Sequence, residues 1–68
     1  MSQQSAKERA RRQLVDAVVE LGYPEEFGEV LASELGGEKS MLRMTSYLRQ
    51  ARPTSPEQIA DELLTILS

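Results

Sequence analysis

The sequence predicts an all-α fold, a compact domain of four helices, and three observations carry that prediction. Three breaks punctuate the 68 residues: Leu21-Gly22-Tyr23-Pro24, Gly36-Gly37 and Pro53-Thr54-Ser55-Pro56. Between the breaks, apolar residues recur three and four apart, the spacing of one helix face. Nowhere do β-branched residues alternate over the length of a strand. A chain this short makes one domain. Its core yields only a few kcal/mol, as is usual below roughly 70–80 residues.

The first helix is expected from about residue 6 to 21, after a flexible tail at residues 1–5. Ser5 and Glu8 have capping-box spacing, in which the hydroxyl accepts from the N3 amide. Leu14, Val15, Val18 and Leu21 form its apolar stripe. Extending that stripe backwards meets Arg11 and Lys7, so the first two turns are expected to lack a core face. Gly22 suits the position after the helix, where a left-handed backbone carries no Cβ penalty.

The second helix is expected over 24–35. Pro24 suits the first helical position, and Glu25 and Glu26 sit where the helix dipole favours negative charge. Phe27, Val30, Leu31 and Leu35 are its expected buried stripe. Gly28 inside the helix costs ~1 kcal/mol relative to alanine, which a close approach by another helix would offset.

The third helix is expected over 39–51, with Met41, Met44, Leu48 and Ala51 along one side. The fourth, over 56–67, has the clearest start. Ser55-Pro56-Glu57-Gln58 reads as N-cap, N1 proline, an acid and the capping-box glutamine. Ile59, Leu63, Ile66 and Leu67 form its stripe, widened by Ala60 and Leu64, and it is expected to lie across the other three. The largely buried set is expected to be Leu14, Val18, Phe27, Val30 and Leu31, with Leu35, Met44, Leu48, Ile59 and Leu63.

Charge is segregated along the chain, whose net value is -3. Lys7, Arg9, Arg11 and Arg12 stand against Glu8 at the start. From residue 13 to 38 there are only acids, from 39 to 52 only the bases Lys39, Arg43, Arg49 and Arg52, and from 53 onward only acids. Acidic and basic helices lying side by side would neutralise one another. The sharper alternative is a basic surface that meets an anionic partner.

Catalysis is not expected. The chain has no histidine and no cysteine, so it lacks an ordinary Ser-His or Cys-His nucleophile pair, and no cofactor or metal is implied. The carboxylate pairs Glu25/Glu29 and Glu34/Glu38, and Asp61-Glu62, read as solvated helix surface. Gly36-Gly37 is followed by Glu38, which would repel a phosphate. No apolar run approaches the ~20 residues that span a membrane. The charged N-terminus has no apolar segment behind it, so a cytoplasmic location is the simplest expectation.

Leu21-Gly22-Tyr23 resembles the Met-Gly-Phe loop of the ubiquitin-associated (UBA) domain. An acidic second helix ending in Leu35, the Gly36-Gly37 corner and a third helix ending in Tyr47-Leu48 follow in the same order. The N-terminal module of bacterial elongation factor Ts has a similar three-helix pattern. The resemblance covers about residues 10–50. It departs from the family in a longer third helix and in the presence of a fourth. It implies a UBA-like three-helix core that binds a protein through Leu21, Gly22 and Tyr23, with Leu48 beside them. The chain is also similar to small proteins of Gram-positive anaerobes, which implies no activity.

A second resemblance aligns helices 2 and 3 with a helix-turn-helix, Gly36 being the turn glycine and Ala32 the small residue before it. Gly37 and Thr45 depart from that pattern. It implies nucleic-acid binding through helix 3, with Ser40, Arg43, Ser46, Tyr47 and Gln50 reading bases and the basic segment, Arg49 and Arg52 included, meeting phosphates. The acidic second helix and the negative net charge argue against it. A protein-interaction or assembly module is therefore the first reading and DNA binding the alternative. A two-fold homodimer through the uncapped end of helix 4, near Leu67, is a third expectation.

Overall fold

The computed structural model describes residues 5–68 as four helices: α1 (Ala6–Glu20), α2 (Glu25–Leu35), α3 (Glu38–Ala51) and α4 (Pro56–Leu67). The flexible stretch expected at residues 1–5 lies outside the described residues except for Ser5, which caps α1 by accepting from the Glu8 amide at 3.1 Å. The Glu8 carboxylate does not return that bond. It turns to Arg11 instead.

Each corner follows its local chemistry. At the end of α1 the Gly22 amide donates to Val19 (2.9 Å) and the Tyr23 amide to Val18 (3.1 Å). Gly22 has φ 101°. This is the Schellman arrangement, and it needs a residue without a Cβ at that point. Pro24 differs from expectation. Its ψ of 158° makes it the N-cap rather than the first helical residue. The helix starts one residue later, at Glu25. At the last corner Ser55 accepts from the Gln58 amide and Pro56 takes the first helical position. The Gln58 side chain accepts from the Thr54 amide at 2.9 Å, one residue earlier than a standard capping box.

The helices form a ring. α1 packs on α2 and α3, α4 packs on α3 and α2, and α2 also meets α3; α1 and α4 do not approach each other. The fully buried centre is built from Leu14, Val18, Met41, Met44, Leu48 and Ile59. Thr45 is the buried polar residue beside them, and its hydroxyl donates to the Met41 carbonyl at 2.9 Å, so the group is satisfied.

The core differs from expectation at α2. Val30 is 57% exposed, and Phe27 is only partly buried, stacked obliquely on Tyr23 with ring centroids 5.0 Å apart. The buried side of α2 is Gly28, Leu31, Ala32 and Leu35. Its cause is the α1 contact. A Cβ on Gly28 would lie 2.8 Å from the Val15 Cα and 2.8 Å from a Val18 methyl. Two small residues four apart let the α1 backbone settle onto α2. That contact turns Gly28 and Ala32 inward and Val30 outward. Ala10 and Ala17 on α1 are buried too, on the side of the helix that periodicity turns toward α3. Ala10 also gives the early turns of α1 a core contact, contrary to the expectation from the Lys7–Arg11 extension. Leu63 is likewise half-buried rather than enclosed. Of the α4 residues only Ile59 is fully inside.

Candidate functional site

The corner Leu21-Gly22-Tyr23 joins α1 to α2, with its turn set by the Schellman bonds. Leu21 and Tyr23 are each half-buried against the core, and Gly22 is exposed. Phe27 braces the Tyr23 ring from the first turn of α2. The corner therefore presents one flat aromatic edge and one aliphatic side chain on a stiff support. Leu48, expected beside this patch, is 1% exposed. It belongs to the core and offers no surface to a partner.

The residues expected to read nucleic acid divide into three groups on α3. Arg43, Ser46 and Gln50 point outward together, and Gln50 donates to the Ser46 hydroxyl at 3.2 Å. Tyr47 and Ser40 are half-buried. Tyr47 turns toward α4, where its hydroxyl donates to the Gln58 carbonyl at 3.3 Å. Arg49 turns toward α1 and pairs with Glu20 at 2.8 Å. Arg52 ends the helix in a left-handed conformation, φ 46°, that its Cβ disfavours. Among the described residues Lys39, Arg43 and Arg52 take part in no ion pair, so they are the cations of this segment left for a ligand.

Where α1, α2 and α3 converge there is a cleft of about 380 Å³ bordered by Lys7, Glu8, Arg11, Glu29 and Met41. Arg11 spans it, holding Glu8 on its own helix and Glu29 on α2 (2.6 Å). The hydrogen bond from Arg11 holds the Glu8 carboxyl below the usual carboxylate range. In return Glu8, and then Glu29, hold the Arg11 guanidinium still more firmly protonated than arginine ordinarily is. This cation is already neutralised, and the cleft is no anion site. No group of three or more Asp or Glu side chains among the described residues is arranged to hold a metal.

The ring of helices sorts charge in a way that the linear order hides. α2 carries Glu25, Glu26, Glu29 and Glu34 without a base, and α4 carries Glu57, Asp61 and Glu62 without a base. These two helices pack on each other. All the lysines and arginines lie on α1, α3 and the Arg52 cap. One side of the domain is thus wholly acidic and the other holds every cation. The acidic side also carries the most exposed large hydrophobics: Leu64 at 64%, Val30 at 57% and Leu67 at 47%. Val30 was expected in the core and Leu64 only as a widening of the α4 stripe. The signal for Leu64 was present, because adjacent Leu63 and Leu64 cannot both face one core. Nothing local marked Val30.

No helix among the described residues is long and apolar enough to cross a membrane. No protein family, curated protein or solved structure matches the chain.

Proposed function

We propose that this protein is a small non-enzymatic interaction module that acts by docking to another protein. The observation that supports this reading most is the state of α4. A helix whose stripe holds Ile59, Leu63, Ile66 and Leu67 encloses only Ile59, and it leaves Leu64 and Leu67 in water. Apolar surface kept exposed on a domain with so small a core is costly unless something covers it. The half-buried corner at Leu21 and Tyr23, the patch that the UBA resemblance implies, is a second place where a partner gains apolar contact. The absence of histidine and cysteine removes the usual proton-transfer and nucleophilic groups, and a cytoplasmic setting suits such a module. Co-purification from the source cell, followed by repeat with Leu64→Ser or Tyr23→Ala protein, tests the reading. Retention of a stoichiometric protein partner that either change releases supports it. Turnover that a single Asp or Glu substitution abolishes overturns it.

A helix-turn-helix-like DNA-binding protein is the second reading, favoured by Lys39, Arg43 and Arg52 standing unpaired on the cationic side. Against it, Arg49 is engaged by Glu20, Tyr47 by α4, and α2 is wholly acidic. Tight DNA retention that weakens steeply with salt, and disappears in the Arg43→Ala and Arg49→Ala proteins, would make it the first.

A further inference from the structure

The exposed apolar residues of α4 share one edge of that helix, and the helix periodicity says where it lies. On α4 the side chains bordering the α3 corner are Gln58, Asp61, Glu62 and Thr65, opposite Tyr47 and Pro53. The core-facing line is Ile59, Leu63 and Ile66. At 100° per residue, Ala60, Leu64 and Leu67 then form the next line round, on the far edge from α3. Among the described residues the only other neighbour of α4 is α2, so this edge is the one nearer α2. On α2, Gly28 and Glu29 face α1 through Val15, Val18 and Arg11. At 100° per residue, Phe27 and Glu34 stand on the edge of α2 away from α1, and Val30 lies further round, on its outer face. The geometry points to a shallow apolar strip on α4 beside its seam with α2, made of Ala60, Leu64 and Leu67, and flanked by Glu57 and by the acidic α2.

We infer that this strip is a docking face for a basic amphipathic helix of another protein, with leucine-type residues on the seam and lysine or arginine on both flanks. This rests on the interaction reading above and fixes its location and the chemistry of its partner. Three features set the occupant. Helical seams accept a helix laid along them, with apolar anchors at i, i+3, i+4 and i+7. The two helices contribute only acids around the strip, so an approaching cation meets no repulsion and an approaching carboxylate meets several. A second copy of this chain fits poorly. Two such faces brought together oppose acids to acids, and the face of one copy laid on the cationic α1–α3 side of the next builds an open head-to-tail chain rather than a closed pair. The two-fold dimer expected through Leu67 is therefore the weaker occupant of the same surface.

The test uses the full chain and a synthetic peptide of about 14 residues, four helical turns, built from leucine and lysine in amphipathic order. Controls are the same peptide with glutamate for lysine, and a scrambled leucine–lysine peptide of equal charge. Binding is followed by titration calorimetry and by backbone amide shifts. The expected result is binding of the ordered cationic peptide alone, with shifts centred on Ala60, Leu64 and Leu67. The affinity falls as salt is raised. It falls roughly tenfold or more in a Leu64→Ser, Leu67→Ser protein whose circular dichroism is unchanged. No binding, equal binding of either control peptide, or unchanged affinity in the double variant overturns the inference. Shifts centred on Leu21–Tyr23 also overturn it, while leaving the interaction-module reading in place. Sedimentation that shows concentration-dependent association abolished by the double variant gives the face to a second copy and overturns it as well.

Discussion

The contact of α1 with α2 and the attachment of α4 are built on opposite plans. Between α1 and α2 the backbones themselves approach, with Gly28 seated on Val15 and Val18 and no room for a methyl group. Ala32, one turn after Gly28 and also buried, extends that close fit. α4 is held instead by one enclosed side chain, Ile59, with Leu63 and Ile66 half-covered and the corner pinned by Tyr47, Pro53 and the Ser55 cap. Close backbone packing gives many short contacts and little tolerance. A helix hung on one anchor has tolerance and spare surface. In a domain this size, the second plan leaves part of the apolar surface of α4 uncovered.

Ile59→Ala is the sharpest way to break that contrast. Removing the sole enclosed α4 side chain should cost ~2–5 kcal/mol, and amide exchange should rise across α4 well before it rises in α1 and α2. Uniform acceleration through all four helices would show that α4 is as integral as the rest. Gly28→Ala should cost ~1–3 kcal/mol by overpacking, although alanine is the better helix former, because the nearest obstacle is the Val15 backbone. An alanine variant that melts higher than the parent would remove the close approach from the account. Phe27→Ala should fall below the ~3–5 kcal/mol of a fully enclosed phenylalanine, since the ring is only half-covered.

Arg52→Gly sharpens the corner that carries α4. The left-handed backbone there costs a side-chain-bearing residue ~1 kcal/mol or more, so glycine should leave stability unchanged or raise it slightly in urea unfolding. A clear loss would mean that the arginine side chain has a role that its geometry does not reveal. Two smaller effects complete the series. Leu64→Ser should shift stability by no more than about 0.5 kcal/mol, as exposed sites do. The Arg11 cluster should give a small acid-side dependence. The folded-state Glu8 carboxyl titrates below its ordinary value. Its contribution is therefore present above that ordinary value and is lost as pH falls through the lowered one. All three partners are reached by solvent, so added salt should erase it. Persistence of this dependence in an Arg11→Gln protein would place its origin elsewhere.

The helix ends were legible in the sequence because capping is local chemistry. Ser5, Gly22, Gly36 and the Ser55-Pro56 pair act within a few residues of themselves, and each sits where its hydrogen bonds or backbone angles require. The four-helix fold class followed from those ends together with the 3.6-residue stripes. The corner Leu21–Tyr23 was visible for the same reason, while the burial of Leu48 was legible from its stripe and inconsistent with a surface role. Tertiary structure decided the rest. Val30 and Gly28 both lie on faces that periodicity alone allows to be inner. The choice between them was made by α1 approaching where no Cβ stood in its way, a long-range event that no window along α2 contains. The same packing placed α2 against α4, joining two acidic segments that the chain keeps apart. The order of charges was written in the sequence, but only the ring of helices made one face wholly acidic and left its leucines in water.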